Sequence, residues 1–352
     1  MLRSLAAQSF RNLADGEHAL EPGATLLLGG NGAGKTSILE AIYLLATTRS
    51  FRTSQLTDCC RHGAGTFHLV AEVETDLRSR LEIHFGEAGR ERLINGRSGT
   101  LAEHLTVLPV VAWTAADVEA LTGPPRLRRR LLDRGVLGLR PSAVEGFARF
   151  RQALAEKRAL LLSGGAGLEA WNQILAREAA EIARQRADYQ RQLGEAFQAL
   201  LSGLALRLPA IELTYRPSPA TALQGEAALL AAFEQAAGEE RRRAAPLVGP
   251  QRDELAIVFR GTEVKRAASA GERKAIALLL AAAHGRVLAA AGRLPVYLLD
   301  DLDTELSRAL LAEIWPAFGD AGQLLVTSNR PEVWQGLTVA RRWSVESGSI
   351  YA

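Results

Sequence analysis

The stretch that most restricts this chain is Gly29-Gly30-Asn31-Gly32-Ala33-Gly34-Lys35-Thr36, set between the apolar run Thr25-Leu26-Leu27-Leu28 and the helix-like segment that opens Ser37-Ile38-Leu39. Its glycines allow a turn in which successive backbone N–H groups face one anion, and the helix behind adds the positive end of its dipole at the same spot. This is the P-loop pattern. Lys35 is expected to reach the β- and γ-phosphates of a nucleotide and the Thr36 hydroxyl to bind Mg²⁺, with Ser37 in the same first helical turn. A Gly-rich turn with a chance Lys-Thr is the bland alternative; the strand before it and the helix after it favour the functional one.

The chain has 352 residues, enough for two domains, and 47% of them are hydrophobic, an ordinary share for a globular core. Its 42 cationic and 39 acidic side chains leave a net charge of +3, and Arg supplies nearly all the cations, since Lys occurs only at Lys35, Lys157, Lys265 and Lys274. That balance permits a nucleic-acid partner without demanding one. Cysteine is confined to Cys59-Cys60, too little for a disulfide framework, which points to a reducing compartment. His62 follows closely, but no second ligand cluster stands at zinc-finger spacing, so the thiols read as bystanders. No signal-type apolar core and no run near the roughly 20 apolar residues of a membrane span is present. A soluble cytoplasmic protein with no membrane part is expected.

In order along the chain, residues 2–9 and 24–28 read as strands around the polar turn Asn12-Leu13-Ala14-Asp15-Gly16, and the helix after Lys35 should end near Ala46. Arg49-Ser50-Phe51-Arg52 comes next, either a solvated turn or a polar patch facing nucleotide or DNA. Residues 67–75 and 81–85 alternate apolar with polar side chains, Glu72, Glu74, Glu82 and His84 falling on the wet face, as half-exposed antiparallel strands do. Asn95-Gly96 signals a hairpin, and 107–113 predicts a more buried strand. Composition shifts at Gly123-Pro124-Pro125. From there to 243 the pattern is mostly helical, with helices over 144–162 and 168–206 folded into an antiparallel pair by the turn Ser163-Gly164-Gly165-Ala166-Gly167. The second carries an apolar stripe through Leu168, Trp171, Leu175, Ile182 and Tyr189. A continuous helix there would be about 55–60 Å long and could stand off the sheet as an arm. A short strand over 211–215 and a helix over 227–243 with a basic end complete the insertion. Strands follow at 255–259, 295–301 and 323–327. The expected organisation is an α/β head in two parts, 1–122 and 244–352, with a helical arm or lid, 123–243, inserted between them.

A P-loop alone leaves Mg²⁺ half-held; a carboxylate at the end of a neighbouring apolar strand completes the site. Asp300, after Tyr297-Leu298-Leu299, fits that Walker B place as the second Mg²⁺ ligand. Asp301 stands where a general base polarising the attacking water would sit, with a structural cap as its bland reading and Glu305 as a second candidate. Ser269-Ala270-Gly271-Glu272 opens a helix upstream of Walker B, the order used by ABC-type ATPases, where this serine closes over the γ-phosphate held by a second subunit. Taken alone it is an ordinary helix N-cap. In this order it predicts an ATP-dependent homodimer.

The chain resembles the RecF family of recombination mediators, relatives of SMC-type ATPase heads. The resemblance rests on Phe10-Arg11-Asn12-Leu13, the P-loop, Arg49-Ser50-Phe51-Arg52, Arg128-Arg129-Arg130-Leu131-Leu132-Asp133-Arg134-Gly135, Gly249-Pro250-Gln251-Arg252-Asp253 and Leu298-Leu299-Asp300-Asp301-Leu302, and runs through nearly the whole length. It implies an ABC/SMC-type P-loop head with an inserted helical arm, Arg11 and Asn12 near the nucleotide, and slow Mg²⁺-dependent ATP hydrolysis stimulated by DNA. It further implies an ATP-driven clamp on gapped or single-strand/double-strand junction DNA at the nucleoid, working with RecO and RecR to load RecA in repair and replication. The chain departs from the family pattern in several places. Gln251 replaces a usual His, Ser269-Ala270-Gly271 a Gln-Gly signature, and Thr304-Glu305-Leu306-Ser307 a Ser-Glu-Leu-Asp loop; no Gln-loop glutamine lies near Trp113 and no switch His near Thr327-Ser328. These gaps suit weak hydrolysis.

Arg126, Arg128, Arg129 and Arg130, with Arg134 and the run Arg241-Arg242-Arg243, are candidate phosphate contacts or solvated faces. On one helix Arg126 and Arg130 share a face and Arg128 points elsewhere. The rival readings are an ABC-type ATPase subunit of another assembly, such as a transporter, and a hydrolysis-deficient RecF-like scaffold.

Overall fold

A computed structural model describes residues 1–75, 78–164, 167–206, 208–304 and 306–351. In chain order the strands are β1 (Leu2–Gln8), β2 (Gly16–Ala19), β3 (Gly23–Leu28), β4 (Phe67–Glu74), β5 (Arg78–Gly86), β6 (Gly89–Ile94), β7 (Arg97–Ser98), β8 (Val110–Trp113), β9 (Ile211–Arg216), β10 (Glu254–Phe259), β11 (Thr262–Glu263), β12 (Val296–Leu299), β13 (Gln323–Ser328), β14 (Arg341–Glu346) and β15 (Ser349–Tyr351). The helices are α1 (Lys35–Thr47), α2 (Leu101–Val107), α3 (Ala115–Thr122), α4 (Pro125–Leu139), α5 (Ala143–Leu162), α6 (Leu168–Gly203), α7 (Glu226–Arg243), α8 (Val264–Ala267), α9 (Ala270–Ala290) and α10 (Arg308–Ile314). They pack into two compact units, the first made of Met1–Val118, Phe197–Arg207 and Ser269–Ala352, the second of Glu119–Ala196 and Leu208–Ala268.

The first unit holds two six-stranded sheets. One, in the order β15-β14-β3-β13-β12-β8, is parallel from β14 to β8, with β15 turning back antiparallel at the edge. Its inner strands are buried on both faces and accordingly read as unbroken apolar runs such as Val296-Tyr297-Leu298-Leu299. The other sheet, β2-β1-β4-β5-β6-β7, is antiparallel. Its strands alternate, Leu69, Ala71 and Val73 inward and His68, Glu72 and Glu74 outward. Helix α1 packs against strands of both sheets. Hence Ile38, Leu39, Ala41, Ile42, Leu44 and Leu45 are all buried, and the helix is apolar nearly all round. Helix α9 packs on β8 of the parallel sheet and is likewise Ala- and Leu-rich.

The second unit combines helices with the antiparallel sheet β11-β10-β9. Helix α4 begins with Pro125 at its first position, where a missing N–H costs nothing. Helix α6 runs unbroken for 36 residues, about 54 Å; its part up to Ala196 belongs to this unit and lies beside α5, with Arg149 Nε 2.8 Å from Glu178. The centre of the unit is polar. Arg186, 4% exposed, lies 2.7 Å from both Asp133 and Asp253, and the Tyr215 hydroxyl donates to Asp253. Burial pushes the Asp133 carboxyl and the Tyr215 phenol up. Lys157 and Glu240 form a second buried pair at 2.7 Å, the ammonium 4.2 Å from the Phe233 ring centroid.

The structure differs from the sequence reading at several elements. Residues 101–107 form α2, capped by Thr100 and Glu103 in a reciprocal capping box, so the buried strand is only β8. Strands β2, β14 and β15 were not foreseen. Residues 244–268, expected with the C-terminal part of the head, pack in the second unit, because β10 alternates and pairs with the equally alternating β9. Gly165 and Ala166 of the expected interhelical turn lie outside the described residues. No helix is long and apolar enough to cross a membrane among the described residues.

Two substitutions test this packing. A Cβ on Gly285 of α9 would fall 1.7 Å from the Tyr297 hydroxyl, so Gly285→Ala is expected to cost about 2 kcal/mol or more in urea unfolding. Arg186→Ala strands Asp133 and Asp253 and should cost about 3–5 kcal/mol; an unchanged urea midpoint would show that this network is not a core.

Candidate functional site

Strand β3 delivers the chain into the loop 29–34 at the centre of the parallel sheet, and α1 leads away from it. Backbone crowds the loop on one side: a Cβ on Gly29 would lie 2.4 Å from the Val345 carbonyl. Gly32 and Gly34 have φ of 79° and 114°, the left-handed region that glycine enters without strain. The N-terminus of α1 has no capping side chain and no acid in its first turn, so its N–H groups and dipole are left to face an anion. Lys35, 6% exposed, folds over its own loop and donates to the carbonyls of Gly29 at 2.8 Å and Gly30 at 3.0 Å.

Asp300 follows β12 and lies across β13 from the loop. Its Oδ1 accepts from the Thr36 hydroxyl at 2.8 Å and from the Thr327 hydroxyl at 2.9 Å. Burial holds this carboxyl above the usual aspartate range, against the two hydroxyls that favour its charge. Two oxygens bound side by side to one octahedral Mg²⁺, each at 2.0–2.1 Å, would stand about 3 Å apart. The Thr36 and Asp300 oxygens already have that separation, and both are the hard donors Mg²⁺ prefers.

Asn12 knits the loop to α1, its amide donating to the Gly32 carbonyl at 2.7 Å while its oxygen accepts from the Ser37 hydroxyl at 2.8 Å. Arg11 points elsewhere. Its guanidinium grips the fully buried Glu40 of α1 through two hydrogen bonds, at 2.9 and 2.7 Å, and donates to the Asp58 carbonyl. The segment 49–52 closes on the same carboxylate: Ser50 and Arg52 donate to Glu40, and the Phe51 ring meets Tyr43 edge-on at 5.4 Å. Beside it the Cys59 thiol is pushed up to about 11 by burial and by Glu40, leaving it unreactive.

The loop after Asp300 is fastened from several sides. Asp301 is exposed at φ 43°, its N–H donating to Thr327 Oγ1 at 2.7 Å. Lys274 of α9 donates to the carbonyls of Asp301 and Thr304 and lies 5.1 Å from the Trp113 ring centroid. Asp303 is wholly buried and accepts from the Ser328 hydroxyl at 2.7 Å and the Trp334 indole at 3.3 Å. Glu305 lies outside the described residues. Ser307 caps α10, accepting from Leu310 N at 3.2 Å. Ser269 is exposed at the start of α9, in a reciprocal capping box with Glu272. Within the chain, Ser269 acts as the cap of α9, its hydroxyl accepting from Glu272 N at 3.3 Å.

Of the arginines, Arg128 is bound to Glu254 at 2.6 and 2.9 Å, and Arg129 donates to the Asp253 carbonyl at 2.9 Å. Arg126 and Arg130 are exposed. Arg242 and Arg243 both pair with Glu239.

Several positions that shape the site were missed by sequence reasoning. Asn329 donates to the Asn31 oxygen at 3.1 Å, Thr327 holds Asp300, and Gly348 donates to the Ala33 carbonyl at 2.8 Å. Ser347 and Gly348, at φ 49° and 83°, form the tight turn between β14 and β15. The signal was present as a Ser-Gly pair between Trp343 and Val345 on one side and Ile350 on the other.

Comparison with known proteins places these features in a wider group. Residues 1–348 match the family described as RecF/RecN/SMC N terminal domain. A DNA replication and repair protein RecF from Anaeromyxobacter sp. (strain Fw109-5) is 35% identical over 346 residues, covering 94% of this chain and 92% of its own length. The protein of that name from Streptomyces avermitilis is 32% identical, with 98% of each chain covered. A solved structure of the recombination mediator protein RecF-ATP in the RecFOR pathway superposes with a TM-score of 0.88 at 22% identity, over 99% of this chain and 96% of that one. An Smc head bound to the C-terminal winged-helix domain of ScpA gives 0.54 at 16% identity, over 99% and 96%.

The raised Asp300 carboxyl carries a pH consequence with a definite sign. A carboxyl raised in the folded state contributes stability below its unfolded pKa, about 3.9, and loses it as pH rises through the folded value. At pH 7 the ligand-free protein has therefore lost the part of that stability that it keeps at low pH. Asp300→Asn keeps both hydroxyl contacts and removes the charge, so the ligand-free variant should melt no lower than wild type at pH 7, with the gap closing toward pH 4. A clear loss of Tm at pH 7 would contradict this account.

Proposed function

Since the chain belongs to the RecF/RecN/SMC N terminal domain family, we propose that it is an ATP-dependent DNA-binding recombination mediator, with the first unit as its ATPase head and the second as an inserted arm or lid. The single observation that carries the reading is the convergence of Thr36 and Asp300, 2.8 Å apart beside an uncapped helix N-terminus. The names of the relatives supply the biological setting, the repair and replication work of RecF in the RecFOR pathway. The pathway name supports a setting with RecO and RecR; within it the reading takes gapped or single-strand/double-strand junction DNA as the substrate and an indirect link to RecA.

In this reading the backbone N–H groups of Gly29, Gly30, Asn31, Gly32, Ala33, Gly34, Lys35 and Thr36 surround the phosphates. Lys35 exchanges its two carbonyl partners for phosphate oxygens. Asn12 and Ser37 keep the loop from opening, and Arg11 acts one step removed, through Glu40. Thr36 and Asp300 would hold Mg²⁺, which supplies charge neutralisation to the phosphates when bound. Asp301, exposed beside Asp300, orients the attacking water. Ser269 of a second copy closes over the γ-phosphate, so nucleotide joins two subunits and its hydrolysis releases them. Hydrolysis is slow, because Ser307, a cap for α10, replaces the acid expected at that seam. DNA contact falls to Arg126 and Arg130, since Arg128 and Arg129 are engaged within the fold.

The decisive experiment is size analysis with ATP and Mg²⁺, with and without gapped DNA, on wild type and Lys35→Met. A shift to dimer in wild type, absent in the variant, is expected; no shift, or the same shift in both, overturns the switch. Turnover should stay well below about 10 s⁻¹, the median for enzymes. DNA affinity should fall steeply with salt, and Arg126→Ala with Arg130→Ala should lower the slope of log K against log salt by about 2; affinity indifferent to salt would exclude phosphate-led binding.

A further inference from the structure

On the antiparallel sheet of the first unit, His68 of β4 stands directly opposite His84 of β5. Glu82, two residues before His84 on the same strand, shares their outward face. The two imidazoles stack at 3.6 Å between centroids, 14° from parallel, and His68 Nε2 lies 3.5 Å from Glu82 Oε2. One ligand atom from each of the three residues falls within 4.8 Å of the others. His68 Nε2 is itself buried, and its contact with Glu82 is too long or poorly aligned to count as a hydrogen bond, which leaves the nitrogen under-satisfied. A cleft of about 870 Å³, lined by His68, His84, Arg90 and Glu91 among others, opens at the pair.

We propose that His68, His84 and Glu82 form a surface site for a divalent transition-metal ion. Two imidazole nitrogens and one carboxylate oxygen are the donor set of Zn²⁺ and its neighbours Co²⁺, Ni²⁺ and Cu²⁺, and not of Mg²⁺ or Ca²⁺. Ligand atoms about 2.0–2.1 Å from a tetrahedral ion stand about 3.3 Å apart. Closing from 4.8 Å or less asks only for small turns about the side-chain bonds of three residues on rigid paired strands, with the two rings tilting toward each other. The fourth position opens on the cleft, where water can fill it. Arg80 is the local competitor. It holds Glu82 through Nε at 3.2 Å from Oε1 and Nη2 at 3.5 Å from Oε2. It also reaches Glu72 at 3.3 Å, a partner it keeps when Glu82 turns to the metal. The cluster shares no residue with the nucleotide site, so this inference stands independently of the function proposed above.

The test is titration of the full nucleotide-free chain with Co²⁺ alone, followed by visible d–d absorption. One equivalent should bind with the intense bands of a tetrahedral site, and Zn²⁺ should displace it. His84→Gln and His68→Ala should each weaken binding about tenfold or more, while Asp300→Asn and the pair Cys59→Ser, Cys60→Ser leave it unchanged. His84 is exposed, so His84→Gln decides the matter even where His68→Ala folds poorly. Absence of tetrahedral binding in wild type at micromolar Co²⁺, or binding that survives His84→Gln undiminished, overturns the site.

Discussion

The head depends on one half-buried carboxylate and the two hydroxyls that meet it. Thr36 lies in the first turn of α1, Thr327 near the end of β13, and Asp300 follows β12, yet the two hydroxyls meet on the Asp300 Oδ1 atom. The sheet order explains how: β3, β13 and β12 are neighbours, in register and parallel, so their C-terminal ends open on the same edge. Ligands of open α/β sheets gather at that edge. Desolvation of this carboxyl outweighs the two hydroxyls that favour its charge, so in the function proposed above a cation at this edge would offset part of that cost.

A second buried carboxylate, Glu40, organises the ground behind the loop. It draws Arg11, Ser50 and Arg52 onto the flank of α1, with the Cys59 thiol beside it at 3.8 Å. Removing one side of such a buried cluster leaves a charge without compensation. By fixing residues 10–12, it sets Asn12 where it can span Gly32 and Ser37. Residues that look like ligand contacts in a string of letters can therefore act as the frame on which the contacts are mounted. The same distinction runs through the second unit, where Asp133 and Asp253, from two of the segments that carry the family resemblance, meet on Arg186.

Local chemistry made much of this readable in advance. A strand, a Gly-rich turn and a helix in immediate succession describe β3, the loop and α1 without knowledge of the rest, and the apolar run before Asp300 located β12. The alternation over 67–85 and the Asn95-Gly96 turn were equally local. What stayed hidden was pairing at a distance. Nothing in Glu254-Leu255-Ala256 says that its strand adds to β9 and not to the parallel sheet, and an arginine gives no sign of whether it faces water, like Arg126, or Glu254, like Arg128. Helix α2 is masked by a competing cue: its apolar residues run on toward those of β8, and the signal that marks it as a helix is the Thr100–Glu103 capping box at its start. Thr327 acts on Asp300, 27 positions away on the neighbouring strand, and Gly348 on Ala33 and Ala14 near the other end of the described chain, relations that no short window on the sequence can display.

The turn at Ser347-Gly348 has a bearing on how the molecule comes into being. It rests on the phosphate loop, with Gly348 bonded to Ala33 and, through its own carbonyl, to Ala14, and β3 is flanked by β13 and β14. During translation the loop leaves the ribosome well before its flanking strands, since β13 and then β14 with the Ser347-Gly348 turn are made only after the whole of the second unit. A nascent chain thus carries a nucleotide-binding sequence without a nucleotide-binding site. The interleaved order withholds from any shorter polypeptide the strands on which the loop is seated.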